Sequence, residues 1–360
     1  MMKNDKKWDA VSIDAMFNFE RGRENNMAIL VEGDIPLVSA RKVNNGIKGF
    51  IANPAKIIIG GKVITLNNDG DGGAGLAYFQ PTDFALDTHV TALHPRCDIS
   101  PDALLYMTAS ISKQHSIFGH GRSISLPRAK RIKNMIPVTD NGMPDYEYMS
   151  DYTSKKRKIL LIRYRTYIEK RISELGEYIE IQPLNKIQWS PFLIAEIFNI
   201  FSGKRLVASD STPGKRPFIG ALDNSNGIAR FVSDKNSSLD RNVLGVNYDG
   251  NGMVIGFYHP YECIFSDSVK RFHLKSHEDN AYILLFMKVV ILQQKSKFGY
   301  LYKFNAERME HTRIMLPVDN EGNIDYEYME QYVKNMMLKK YKQYLAFLDD
   351  KEKGARVQIP

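Results

Sequence analysis

Asp145-Tyr146-Glu147-Tyr148-Met149 recurs letter for letter as Asp325-Tyr326-Glu327-Tyr328-Met329. The offset is 180 in a chain of 360 residues, and outward from the pentapeptide the same offset keeps pairing like with like. Tyr152 meets Tyr332, Pro137-Val138 meets Pro317-Val318, Arg128 meets Arg308, Phe118-Gly119 meets Phe298-Gly299, and Asp69-Gly70 meets Asp249-Gly250. Nearer the start the offset becomes 181. Asn45-Gly46-Ile47 meets Asn226-Gly227-Ile228, Phe50 meets Phe231, and Pro36 and Ala40 meet Pro217 and Ala221. Gly22 meets Gly203, Phe17 meets Phe198, and Trp8 meets Trp189, the only two tryptophans. Self-similarity at one fixed period marks a repeated unit. This period is far too long for a solenoid, so each copy must be a domain with its own core.

Each copy reads as a small α/β (α+β) unit followed by a long helix. Ile57–Ile59 and Lys62–Leu66 are predicted strands around a Gly60-Gly61 turn, and Leu76–Phe79 and Ile255–Tyr258 are predicted strands stopped by Pro81 and Pro260. Pro101–Ser116 and Asn280–Lys295 have the apolar content and length of helices. Asn141-Gly142 and Glu321-Gly322 mark turns. In the first closing helix Leu161, Arg165, Ile168, Ile172 and Leu175 recur at helical spacing before Gly176, a C-terminal stop. In the second, Met329, Tyr332 or Val333, Met336, Lys340 or Tyr341, Tyr344 and Leu348 do the same, with Gly354 beyond. Either stripe can pack on its own domain or on the other helix, antiparallel, in a pseudo-two-fold arrangement. The expected boundaries are 1–150 for the first domain, 151–180 for the linking helix, 181–329 for the second domain and 330–360 for the C-terminal helix and tail.

The apolar fraction of 43% and charged fraction of 25% are those of a globular chain. Two cysteines cannot build a disulfide framework or a Cys₄ zinc site. The polar start, Met1 to Lys7, lacks a signal-peptide core, and Ala281–Leu292 is too short to span a bilayer and carries Lys288. A soluble cytoplasmic protein is expected. The net charge of +8 permits a polyanion partner without naming one. Each half of the chain carries +4, yet residues 1–150 hold 17 basic and 16 acidic groups, so the excess sits in the linking helix. A charge run of that kind is more often a solvated face than a binding site.

Tests for catalysis return little. Gly70-Asp71-Gly72-Gly73-Ala74-Gly75 spells G-x-G-x-x-G, but a strand-like segment stopped by Pro81 follows where a dinucleotide fold needs a helix. No Walker phosphate loop, Asn/Asp-Pro-Pro-aromatic tetrad or Pro-Cys nucleophile is present. Pro144-Asp145 with Glu147 hints at a metal-dependent nuclease, but Met149 stands where that motif needs lysine, and Ile324 replaces the proline in the second copy. A turn entering a helix is the plainer account. His273 and His277 lack the intervening glutamate of H-E-x-x-H, and only His273 has a counterpart, His94. Cys97 and Cys263 occupy non-equivalent positions and read as single buried cysteines. No catalytic residue and no metal site is expected.

The ordered elements together resemble the specificity subunit of type I restriction–modification systems and the related type IIB subunit. They are an early Trp, aromatic or apolar residues before Gly22-Arg23 and Gly203-Lys204, Pro36 and Pro217 ahead of an Ala, and Asn-Gly-Ile at Asn45 and Asn226. Asn242–Gly250, Tyr258-His259-Pro260 and the Ile136/Leu316-Pro-Val segments before the repeated pentapeptide complete the pattern. The glycine-rich stretch Asp69–Gly75 departs from its second copy.

That resemblance implies a non-catalytic, DNA-binding subunit with two target recognition domains, each reading one half of a bipartite double-stranded site. It implies two methyltransferase subunits as partners, with a nuclease subunit or a fused nuclease–methyltransferase, and no membrane. S-adenosylmethionine, Mg and ATP would belong to those partners, leaving no cofactor in this chain. A spacer helix of 25 residues spans ~37 Å, near one turn of B-DNA. Expected DNA contacts lie in loops that the repeat places alike but fills differently. They are Arg21, Arg23, Arg41, Lys42, Asn44, His120 and Arg122 in the first copy, and Lys204, Arg205, Asn224, Arg230, Tyr300 and Lys303 in the second. Expected subunit-docking residues are Leu161, Ile168, Ile172, Leu175, Met336, Tyr344 and Leu348. The alternatives are a metal-dependent nuclease acting through Asp145 and Glu147, and a structural protein-interaction module.

Overall fold

A computed structural model of the chain describes residues 6–24, 27–70, 73–119, 121–250 and 252–357; Asp71, Gly72 and His120 lie outside these. Two compact units, Met1–Tyr164 and Arg165–Pro360, divide the chain. The first contains β1 (Trp8–Ser12), α1 (Ile13–Met16), β2 (Phe17–Arg21), β3 (Glu32–Val38), β4 (Ile47–Ile51) and β5 (Val63–Asn67). It continues through β6 (Ala77–Gln80), β7 (Ala85–Leu86), β8 (Val90–Pro95), α2 (Pro101–Ser112), α3 (Leu126–Arg131) and β9 (Lys133–Pro137). The long helix α4 (Tyr146–Leu175) runs from this unit into the next.

The second unit repeats the series. It has β10 (Trp189–Leu193), α5 (Ile194–Ile197), β11 (Phe198–Ser202), β12 (Pro213–Ile219), β13 (Ile228–Val232) and β14 (Val243–Asn247). Then come β15 (Gly256–His259), β16 (Ile264–Phe265), β17 (Val269–Leu274), α6 (Ala281–Leu292), α7 (Ala306–Glu310), β18 (Arg313–Pro317) and α8 (Tyr326–Val357). Among the described residues each unit has a four-stranded antiparallel sheet, β2-β8-β5-β6 or β11-β17-β14-β15. Each also has a three-stranded sheet, β4-β3-β7 or β13-β12-β16, and a two-stranded ribbon, β1-β9 or β10-β18. The duplication read from the sequence is therefore a duplication of topology, strand for strand.

The same positions build both cores. Ser100 caps α2 by accepting the Ala103 N–H, and Ala103, Leu104, Met107 and Ile111 then bury one face of it. Asn280 caps α6 likewise, burying Ile283, Leu284, Met287 and Ile291. These faces join Phe17, Ile64, Leu66, Leu93 and Ile136 in one core, and Phe198, Leu244, Val246, Phe272 and Leu316 in the other.

The repeated pentapeptide begins the long helices. Asp145 accepts the Tyr148 N–H at 2.9 Å and Asp325 accepts the Tyr328 N–H at 2.8 Å, while Met149 and Met329 are fully buried. Both aspartates also donate their own N–H to the proline ending the preceding strand, Pro137 or Pro317. Gly22 and Gly203 recur because backbone passes over them. A Cβ there would lie 2.0 Å from the Asp87 carbonyl oxygen, or 1.9 Å from that of Ser266.

Several local expectations change. Ile57–Ile59 makes no strand: only Ile58 turns inward, bridging Phe84, while its neighbours face solvent. The helices of residues 101–116 and 280–295 stop at Ser112 and Leu292, and a 3₁₀ turn follows each. Gly176, at φ +76°, does end α4, but α8 continues through Gly354 to Val357. Cys97 is exposed; only Cys263 is buried, its thiol pushed up to about 12 by burial.

Within the second unit, the last turns of α4 lie antiparallel to α8. Arg165 pairs with Asp349 at 2.9 Å, and further along Asn335 binds the Ile179 backbone through both amide atoms. Residue numbers rise on one strand of this contact as they fall on the other, which fixes the antiparallel sense. Ile168, Leu175 and Leu348, expected to dock another subunit, are buried in the chain itself. Leu161, Ile172 and Tyr344 are half-buried and Met336 is exposed.

Candidate nucleic-acid interface

One end of each four-stranded sheet gathers the expected contact loops. β2 ends with Arg21 opposite Thr91, and β5 ends with Asn67 opposite Val90, so the strands deliver their loops to the same edge. At that edge the buried Asn67 amide donates to the carbonyls of Arg41 (2.9 Å) and Gly73 (3.2 Å). This side chain ties the Arg41–Asn44 loop to the glycine-rich loop. Tyr78 adds a hydroxyl bond to the Arg41 carbonyl at 3.1 Å. The Gly-rich loop in turn rests on the segment after α2, where His115 Nδ1 lies 2.7 Å from the Ala74 carbonyl. Asp69 closes the group by pairing with His89 at 2.9 Å, and that hydrogen bond holds the imidazole above its ordinary pKa. Arg21, Arg23, Arg41, Lys42, Asn44 and Arg122 are all exposed here. His120 lies outside the described residues.

The second unit builds the same end with different groups. β11 ends with Ser202 opposite Lys270, and β14 with Asn247 opposite Val269. Asn247 is again buried and donates to the carbonyls of Leu222 (2.7 Å) and Gly252 (3.1 Å). Asp249, the counterpart of Asp69, takes Lys303 at 2.9 Å instead of a histidine. Lys270 donates to the Ser202 hydroxyl and lies over the Tyr248 ring, and burial lowers its pKa. Lys204, Arg205, Asn224 and Tyr300 are exposed.

Arg230 does not belong to this set. Its guanidinium lies 4.1 Å from the Phe218 ring centre and donates to the Leu206 carbonyl at 2.6 Å, so it holds the three-stranded sheet.

The positions suspected of chemistry have structural employment. The Asp145 carboxylate caps a helix and pairs with Lys6, and Asp325 serves the same capping role without a proline before it. His273 is held between Asp240 (2.9 Å) and Asp279 (2.5 Å), whose hydrogen bonds raise its pKa to about 9. Both ring nitrogens therefore donate, leaving none to ligate a metal. His277 contacts the Glu278 backbone and the Tyr326 ring instead. Among the described residues no three His, Cys, Asp or Glu gather into a metal site, and no helix is long and apolar enough to cross a membrane. Gly73–Gly75 turns directly into β6, so the G-x-G-x-x-G spelling opens no helix.

Two features escaped the sequence reading. The first is the buried asparagine pair, Asn67 and Asn247, signalled only by a shared Asn two residues before Asp-Gly. The second is charge segregation within each copy. From Ala103 to Thr139 there is no Asp or Glu, against Lys113, Arg122, Arg128, Lys130, Arg131 and Lys133. From Asn280 to Ala306 there is again none, against Lys288, Lys295, Lys297 and Lys303. Sums over whole domains hide both stretches, and each contains the loop at the sheet end.

Comparison with known proteins finds the same duplication. A family model described as "Type I restriction modification DNA specificity domain" matches twice, over residues 5–162 and 186–345. The chain is 38% identical over 339 residues to a curated protein of Heyndrickxia coagulans, "Type II restriction enzyme BgcI specificity subunit S.BcgI". That match covers 93% of this chain and 96% of the relative. Among solved structures, an S subunit of a type I system from M. genitalium aligns with 98% of this chain and 96% of its own, at 14% identity and a TM-score of 0.47. An HsdS subunit from Thermoanaerobacter tengcongensis aligns with 100% of this chain and 94% of its own, at 13% identity and a TM-score of 0.32. On the two family matches and the full-length relative, the chain belongs to the restriction–modification DNA specificity domain family as a tandem pair of such domains, a specificity subunit and not a catalytic one.

Proposed function

We propose that each unit reads one half of a bipartite site in duplex DNA through the loops at the end of its four-stranded sheet. The observation that carries this reading is the pairing of sameness and difference at that edge. Asn67 and Asn247 tie the loops alike, while the groups at matching positions differ: Arg41, Lys42, Val43 and Asn44 against Leu222, Asp223, Asn224 and Ser225. Exposed Arg and Lys can grip phosphates and set register, and Arg and Asn can read base edges in the major groove. Two domains of one fold with unlike loop contents suit two half-sites of unlike sequence.

On the same reading the chain works with methyltransferase subunits that bring the adenine-modifying and cleaving chemistry, together with S-adenosylmethionine, Mg and ATP where used. Two such subunits, with a nuclease subunit or a fused nuclease–methyltransferase, complete the proposed complex. The exposed Met336 and the half-buried Leu161, Ile172 and Tyr344 are the helix positions left to meet them. The chain acts in the cytoplasm, with DNA.

Footprinting of the complex on its own site tests the assignment of halves. Substituting Arg41 and Lys42 with alanine should weaken protection of one half-site, and substituting Lys204 and Arg205 the other. Equal loss over both halves from either pair contradicts the reading.

A further inference from the structure

At the rim of the second unit's loop cluster, a two-residue turn presents apolar groups to solvent. Gly299 and Tyr302 exchange backbone hydrogen bonds at 3.1 and 3.0 Å, which leaves Tyr300 and Leu301 alone at the tip. Tight turns of this size favour Asn, Asp and Gly. Here Tyr300 is 85% exposed and Leu301 95%, the two most exposed large apolar residues described.

The base of the tip is stiff. Tyr302 stacks on Phe298 with 7° between ring planes, Phe298 packs on the buried Phe304 at 4.5 Å, and the Arg308 guanidinium covers Tyr302 at 3.9 Å. Lys303, paired with Asp249, lies 5.8 Å from the Tyr300 ring centre. Nothing in the fold needs an apolar tip here, since in the first copy the Arg122 N–H donates to the Gly119 carbonyl at 2.9 Å and the sequence between them reads His120-Gly121.

We propose that Tyr300 and Leu301 form a wedge that inserts between two base pairs of the half-site read by the second domain and unstacks that step. The surroundings favour duplex DNA as the occupant. The tip follows the exposed Lys295 and Lys297 in the stretch from Asn280 to Ala306, which has no acidic residue of its own, and these lysines can meet phosphates beside an opened step. Apolar side chains on a rigid base, flanked by cations, are how proteins pry base steps apart from the minor groove. Because the first copy lacks the apolar pair, the distortion belongs to one half-site only. This inference rests on the DNA-reading function proposed above.

The test uses the full chain with its methyltransferase partner, bound to duplexes carrying 2-aminopurine at successive positions of the second half-site. A several-fold fluorescence rise is expected at the wedged step. The Tyr300→Ser, Leu301→Ser variant should abolish the rise and weaken binding about tenfold, as loss of one base–aromatic stack does. Protection of the first half-site should persist at raised protein concentration. Bound DNA with no rise at any position overturns the wedge, as does a rise unchanged in the variant, which would belong to another subunit. A variant that loses the methyltransferase yet keeps normal DNA fluorescence makes the tip a protein contact and also overturns it. Failure of the unaltered complex to bind DNA at all is a separate result and sinks the DNA-reading function itself.

Discussion

Asp145 and Asp325 show why a recurring motif need not be a reactive one. Their carboxylates cap the two long helices, and the methionine four residues on is buried in each core. Replacing Asp325 with alanine should cost about 1 kcal/mol of stability, read from the urea midpoint, as lost N-caps usually do. His273 makes a second prediction. Burial pushes the Asp240 carboxyl up, but His273, the Arg241 backbone and Arg271 hold it below its ordinary value. Hydrogen bonds to Asp240 and to Asp279 raise His273 to about 9. A raised folded pKa means that the pair's stabilisation is complete below the unfolded value of 6.5 and is lost as pH rises through about 9. The amount is on the order of 3 kcal/mol. The melting temperature should therefore fall between pH 7 and pH 10, and His273→Gln should flatten that fall. An equal slope in the variant would remove His273 as its source.

On the proposed reading the tied loops meet DNA and the long helices meet the partner subunits. Ile168 is fully buried, so Ile168→Ala should destabilise the second unit by about 2–5 kcal/mol in denaturant unfolding. The asparagine tie predicts a different signature. Asn247→Ala should leave the core intact, because its amide serves loop carbonyls, but weaken protection of the second half-site. Unchanged DNA protection would show that the loops hold their shape without it. Part of this level was legible from spacing alone: strands β6 and β15 stand one residue from expectation and Gly176 follows the last residue of α4, but α4 and α8 start at Tyr146 and Tyr326, ahead of the expected 151 and 330. The Ile57–Ile59 run misled because β-branched composition promises a strand while pairing needs a neighbour, and only Phe84 is there to meet Ile58. Arg230 misled for a related reason. Charge and loop proximity cannot reveal that a guanidinium lies flat on Phe218.

For the whole molecule, the duplication is the dominant fact and the sequence carried it openly, because a domain of this size repeats its caps, core positions and close backbone passages together. The interface was less open. Net charge is a sum, and each copy cancels its acid-free stretch with acidic loops elsewhere, so the domains look neutral while one segment of each is strongly cationic. DNA binding should accordingly weaken steeply with salt, and each phosphate-gripping residue removed, Lys42 for instance, should lower the slope of log affinity against log salt by about one. A slope untouched by every substitution at the sheet ends would place the contacts elsewhere.

The central claim is that two domains of one fold read two separate half-sites. Mapping of modified adenines across the genome of cells carrying this chain and its methyltransferase partner tests it most directly. The account predicts one motif with two specified parts separated by a fixed length of unspecified sequence, and predicts that exchanging the second domain's sheet-end loops changes one part alone. An uninterrupted motif, or exchanged loops that alter both parts together, would contradict it.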